Sequence, residues 1–200
     1  MDTKKLANAF MRSGWVLESS RLAALGLHPR DVAELVRSGV VERVSRGLYV
    51  WRDADLTEKH SWILVQRIAP RAVFCLLSAL SFHELTTQLP REVWIAIDPR
   101  TDSVPRRRPQ VGLRVMKFTG PAFSAGIEVH RHAGVGLRVY SVAKTVADCF
   151  KYRNKVGLDV ALEALREGWR EKRFTVDELM RMADVCRVAN VIRPYMEALL

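Results

Sequence analysis

The sequence predicts an α+β fold: an N-terminal winged helix-turn-helix, then a mixed α/β domain with a small sheet and C-terminal helices. Three observations predict it. The first fifty residues read as three short helical segments and a hairpin, with glycines at the breaks. The middle of the chain changes to short strand-like runs, in a region with Gly112, Gly120, Gly126, Gly134 and Gly136. From Ser141 onward the periodicity is helical again. The domains are expected at 1–55 and 56–200.

The first segment, "TKKLANAFMRSG", reads as a short helix stopped by Gly14. "VLESSRLAALG" holds a brief extended piece and then a helix, with its cap expected at Ser19 or Ser20 and its stop at Gly26. "HPRDVAELVRSG" follows almost at once. Pro29 suits a first helical turn and Gly39 a C-terminal stop. Val32, Leu35 and Val36 are expected to pack inward, leaving Arg30, Glu34 and Arg37 on the opposite face.

"VERVSRGLYVW" completes the unit as a hairpin around Ser45, Arg46 and Gly47. Two short helices joined by a tight turn, then a hairpin, are the outline of a winged helix-turn-helix. Its second helix enters a DNA major groove with its first turns against the bases, and the hairpin is the wing. The candidate DNA-binding residues are therefore His28, Arg30, Asp31, Glu34 and Arg37 on the helix, with Arg43, Ser45 and Arg46 on the wing. Arg43 and Arg46 are expected at the wing tip, against phosphate or a narrow minor groove. Glu34 has a competing role as the partner of Arg30 or Arg37 on the helix surface. Leu48, Tyr49 and Trp51 are expected to return the strand to the core.

Past "RDAD" the character changes. "TEKHSWILVQRIAP" predicts an amphipathic helix with Trp62, Val65 and Ile68 on one stripe, and "AVFCLLSALSFHEL" predicts the central helix of the second domain. "EVWIAIDP", "LRVMKF", "IEVHRH" and "LRVYS" read as strands, and "RTDSVPRRRPQ" as a proline- and arginine-rich loop. In that loop Arg106, Arg107 and Arg108 are candidates for contacts to phosphate or an acidic partner. "SVAKTVADCFKYR" starts at an N-cap, Ser141. "LDVALEALREGW" places Leu158, Ala161, Leu162, Leu165 and Trp169 on one face, and "TVDELMRMADV" opens on a capping box of Thr175 and Glu178.

Composition bounds the function. The chain has 200 residues, 48% of them hydrophobic, so it has enough apolar surface for real cores. The net charge of +10 biases partners toward polyanions. Cys75, Cys149 and Cys186 are far apart and lack a Cys-x-x-Cys spacing, so neither a zinc site nor a disulfide framework is indicated. Reduced cysteines buried in apolar helices suit a cytoplasmic protein. The N-terminus lacks a signal-peptide core, and the longest apolar run is too short to span a membrane.

The signals for catalysis are weak. His130 and His132 share a strand face, but no third metal ligand is spaced to join them. His83 and Glu84 are adjacent, which favours capping or surface roles. Asp98 after one strand and Lys117 on the next give a faint nuclease outline, without the acidic-x-lysine element between them. No phosphate-binding glycine loop or nucleophile elbow occurs. The expectation is a protein that is not an enzyme and needs no metal or cofactor.

The succession "RVSRGLYVW", "LLSALSFHEL", "VYSVAKTVADCFKYR" and "ALEALREGW" resembles the AbiEi antitoxin family of type IV toxin–antitoxin systems. The resemblance spans nearly the whole chain in the expected order. It implies an N-terminal winged helix that represses its own operon, binding double-stranded promoter DNA at inverted repeats. It implies a C-terminal domain that counters a toxin of the nucleotidyltransferase type. It carries over the recognition-helix face and wing arginines and a basic second-domain surface, and no catalytic residues. Two rivals stand beside it: a transcription factor whose second domain senses a ligand, and a DNA-targeting nuclease.

Overall fold

The computed structural model describes residues 3–52, 58–88, 90–102 and 111–199. Two compact units emerge. The first comprises Met1–Pro70 with the segment Arg131–Leu137, and the second comprises most of the remaining described residues. The boundary expected at 55/56 falls within 53–57, outside the described residues.

The first unit runs α1 (Thr3–Arg12), β1 (Val16–Glu18), α2 (Ser19–Ala24), α3 (Pro29–Arg37), β2 (Val41–Ser45), β3 (Leu48–Trp51) and α4 (Glu58–Ile68). Its antiparallel sheet has the order β1-β3-β2. Helix, strand, two helices and a hairpin, with the first strand added to the hairpin, make a winged helix. Leu6 and Phe10 lie four apart on α1 and are both buried, as helical spacing requires. They pack with Leu17, Leu22, Leu27, Val32 and Val41, and the Phe10 ring lies 5.4 Å from that of Trp51. Gly14 turns the chain at φ +66°, and a Cβ there would run into the Ile63 side chain of α4. A side chain at this position therefore meets both backbone strain and a clash.

Several details differ from expectation. The cap of α2 is Glu18 rather than a serine, and no side chain bonds the helix start. The reason is local: β1 runs directly into α2, and the Ser19 N–H donates to the Gly47 carbonyl at 2.8 Å, so sheet-like pairing already satisfies that donor. On α3, Val32 is buried and Leu35 half-buried, but Val36 is 37% exposed. A nine-residue helix lying on a small core covers only a narrow stripe. On β3, Leu48 and Val50 are buried, while Tyr49 and Trp51 are half-buried on the alternate face. The stripe expected on α4 is broader, since Trp62 through Gln66 are all buried and Ile68 is only half-buried.

The remaining elements are β4 (Val73–Phe74), α5 (Leu76–Phe82), β5 (Val93–Ile97), β6 (Leu113–Lys117), α6 (Pro121–Ser124), β7 (Ile127–His132), β8 (Val135–Tyr140), α7 (Val142–Lys151), α8 (Arg153–Val156), α9 (Leu158–Arg170), α10 (Val176–Cys186) and α11 (Ala189–Glu197); all belong to the second unit except the end of β7 and the start of β8, within Arg131–Leu137. The mixed five-stranded sheet has the order β6-β5-β4-β8-β7. The β5–β6 and β4–β8 pairs are parallel, and β4–β5 is antiparallel.

The central helix is α7, in which every residue from Val142 to Phe150 is buried. It packs in a core with Leu80, Leu165, Leu179 and Ile192. The run "AVFCLLSALSFHEL" divides instead into β4 and α5, with Cys75 in extended backbone at the N-cap between them. A continuous apolar run is compatible with a buried strand or a buried helix, and here Val73 and Phe74 fill the gap between β5 and β8. On α9 the buried stripe is Val160, Ala161, Ala164, Leu165 and Gly168, with Leu158 39% exposed at the helix start. The caps expected on α7 and α10 are present. Ser141 Oγ accepts from the Lys144 N–H, and Thr175 and Glu178 bond reciprocally at 2.8 and 3.2 Å.

Candidate functional site

The winged helix presents its candidate residues from two elements. Pro29 occupies the start of α3 and His28 precedes it as N-cap in extended backbone. Arg30 is exposed on the first turn, with no hydrogen-bond or ion-pair partner among the described residues. The Asp31 carboxylate accepts from the His28 backbone N–H at 2.8 Å, which commits it to the helix start. Glu34 and Arg37 pair at 3.4 Å on the exposed face, the helix-surface role weighed for Glu34.

On the wing, Ser45 pairs with Leu48, so the connection is only Arg46 and Gly47. Gly47 takes φ +73°, which a side chain rarely adopts. Arg46 is exposed at the tip, also with no partner among the described residues. Arg43 is not at the tip. It stands on β2 opposite Tyr49, one residue before a register shift, and its Nε donates to the Ser45 carbonyl at 3.4 Å. The irregularity between Arg43 and Ser45 bends the strand, and the long side chain runs along it toward the turn.

Beside the wing is a groove of about 290 Å³, lined by Ser19, Ser20, Ser45, Arg46 and Arg67 among others. Glu18 holds Arg67 at 3.0 Å. Ser19, Ser20 and Arg67 were not among the candidates from sequence. They reach the wing because β1 pairs with β3 and delivers the start of α2 to Gly47. A two-serine helix start gives no such signal until the sheet order is known.

Residues 5–50 match the family model described as transcriptional regulator, AbiEi antitoxin. The matched segment runs from within α1 into β3, nearly all of the helix–strand–helix–helix–hairpin unit. Over that segment it agrees with the AbiEi resemblance read from the sequence. No curated protein matches the chain.

Outside the AbiEi-matched segment, Arg106, Arg107 and Arg108 lie outside the described residues. Asp98 is buried and taken up by Arg100, whose N, Nε and Nη2 donate to it at 3.0, 3.0 and 2.7 Å. Those bonds hold its pKa below the usual carboxylate value. Lys117 pairs in register with Ile97 and is exposed. Asp98 is thus part of a turn-stabilising ion pair. His132 is exposed, and His130 is half-buried with its Nε2 3.1 Å from Glu128. Among the described residues no group of three His, Cys, Asp or Glu side chains is arranged to hold a metal. No described helix is long and apolar enough to cross a membrane.

His83 corrects the surface role offered for it. It caps α5 at its C-terminus but is buried, with Nε2 2.7 Å from the Tyr140 carbonyl. A carbonyl only accepts, so Nε2 carries the proton. Burial is the main cause that lowers the imidazole pKa, and the Tyr140 bond opposes it. A histidine with a lowered folded-state pKa contributes stability above its ordinary value, which is lost as pH falls. Chemical denaturation midpoints are therefore expected to decline between about pH 7 and pH 5. His83→Gln should flatten that decline; an unchanged slope in the variant would assign it elsewhere.

The feature that sequence reading missed lies in the second core. Lys144 and Asp148, four apart on α7, are both fully buried and bonded at 2.6 Å. The Cys186 thiol donates to the second Asp148 oxygen at 3.2 Å. The Lys144 ammonium sits 4.2 Å from the Tyr140 ring centre and 5.0 Å from that of Phe118. Burial lifts the Asp148 carboxyl above its usual range against the opposing pull of Lys144. Burial next to Asp148 pushes the Cys186 thiol up to about 12, so it is an unreactive thiol. The available signal was "AKTVADCF", in which Lys-x-x-x-Asp interrupts an otherwise apolar helix at ion-pair spacing.

Proposed function

We propose that this chain is a DNA-binding autorepressor and the antitoxin of a type IV toxin–antitoxin system, countering a nucleotidyltransferase-type toxin. The carrying observation is the pair of exposed, unpartnered arginines, Arg30 on α3 and Arg46 at the wing tip, on a winged helix whose residues match the AbiEi regulator family. In this reading residues 1–55 carry DNA recognition and 56–200 carry antitoxicity. Arg30 reads a base edge from the first turn of α3, with His28 beside it. Arg46 and Arg43 hold phosphates, and Ser45, Ser19 and Ser20 supply hydroxyl donors along the same groove. Asp31 positions the start of α3, while Glu34 orients Arg37, which is left to reach the backbone. The target is double-stranded DNA of its own promoter, read at inverted repeats, and the second part acts on a toxin encoded with it.

The test is a salt titration on promoter DNA. Arg46→Ala is expected to weaken binding evenly across sequences and to reduce the magnitude of the salt slope by about one. Arg30→Ala should cost about 1–3 kcal/mol at a single base position. Isotherms of both variants that overlay wild type at every salt concentration would remove DNA recognition from this face.

A further inference from the structure

The second unit contains a cavity that the DNA-binding and antitoxin reading does not use. It has a volume of about 390 Å³ and is bounded by the end of α5, β7, the first residues of α7, and α10 with the loop before it. That volume is within the range of small-molecule sites. Its floor is apolar, from Val142, Phe174 and Met182. Its rim is charged, and its charges are not equally available.

Each carboxylate has a hydrogen-bond partner on one oxygen. Glu178 accepts from the Thr175 N–H at 2.8 Å and from the Thr175 hydroxyl at 3.1 Å, and Glu128 is 3.1 Å from His130. The arginines are less committed. Arg173 donates through one terminal nitrogen to the His83 carbonyl at 3.3 Å and to Glu171 at 3.4 Å. Arg181 is held only through Nε, on the Asp177 carbonyl at 3.4 Å. Its two terminal nitrogens have no partner among the described residues. Glu178 keeps its charge near Arg181, so the lining sets two acids beside two arginines, and the open guanidinium fork of Arg181 is the group left to take an oxyanion.

We infer that this cavity binds a small molecule through an oxyanion group, phosphate or carboxylate, with Arg181 as the principal contact and Arg173 as the second. The apolar floor takes the uncharged part of such a ligand. His83 also lines the cavity, and its Nε2 is directed at the Tyr140 carbonyl rather than at the anion.

The experiment is isothermal titration of the full chain with inorganic phosphate and, separately, citrate, at ionic strength held constant with sodium chloride. The expected result is one saturable site for at least one of the two anions. Saturation by phosphate alone assigns a phosphorylated ligand, by citrate alone a carboxylate, and by both a general oxyanion seat. Arg181→Ala should weaken that binding at least about tenfold, as expected for loss of a charge-assisted pair. Arg181 is exposed, so its circular dichroism should match wild type. Arg181→Lys should recover only part of the affinity, since the fork is lost. The wing variant Arg43→Ala with Arg46→Ala should bind as wild type, which separates this site from the DNA-facing arginines. Absence of saturable binding by either anion overturns the inference. So does binding that Arg181→Ala leaves unchanged, or that the wing variant abolishes.

Discussion

Asp148→Ala is expected to destabilise the chain by about 3–5 kcal/mol, among the largest effects of any single side-chain truncation in the second unit. The Lys144 ammonium has no exposure to water, and its direct anionic partner is Asp148 at 2.6 Å. Removal of the carboxylate leaves the charge facing the rings of Tyr140 and Phe118. Cation–π attraction returns about 2 kcal/mol or somewhat more for a desolvated pair, less than the lost ion pair. The same substitution strips the Cys186 thiol of its acceptor. Replacing both members with apolar residues of similar size, Lys144→Met with Asp148→Leu, should recover most of the loss. Urea unfolding of the two variants against wild type measures this. A single variant within about 1 kcal/mol of wild type would mean that the pair is solvated or dispensable. Loss of antitoxicity in Asp148→Ala should therefore be read first as a folding effect.

The same pair marks where sequence reading stopped. The first unit was legible because its punctuation is local. Gly14, Gly26, Gly39 and Gly47 each turn the chain with positive φ where the sequence predicts a break, and Pro29 begins α3. Those signals act over a few residues and need no partner. The second unit depends on contacts between distant segments. Nothing local in "AVFCLLSALSFHEL" says that Val73 and Phe74 lie between two strands while Leu76 starts a helix, because either state buries the same side chains. Likewise, Val36 satisfies the apolar spacing of α3 but is exposed, since periodicity gives a face and not the width of the core beneath it. At the candidate interface, the sequence gives the residue types on α3 and the wing. Only the sheet register shows that Arg43 stands back from the tip and that Ser19 reaches it.

The wing variant Arg43→Ala with Arg46→Ala, in the full chain, is expected to derepress the promoter while still protecting cells from the cognate toxin. Both side chains are exposed, and neither enters a core, so the variant should fold as wild type. Loss of two phosphate contacts should flatten the salt slope by about two and weaken operator binding by one to two orders of magnitude, roughly, at physiological salt. That is enough to empty a promoter occupied at modest excess of repressor. The second unit has its own core around α7, so a task carried there has no reason to fail with the wing. Replacing Arg106, Arg107 and Arg108 with Ala asks the converse question: whether these arginines contribute to protection by meeting an acidic toxin surface or the toxin's RNA target. One strain with inducible toxin and a promoter reporter reads both outputs, growth and repression, at matched protein levels. If the wing variant loses protection together with repression while its level is unchanged, protection acts through the promoter. The chain is then better read as a regulator whose second unit senses a ligand, and the division into two tasks is abandoned.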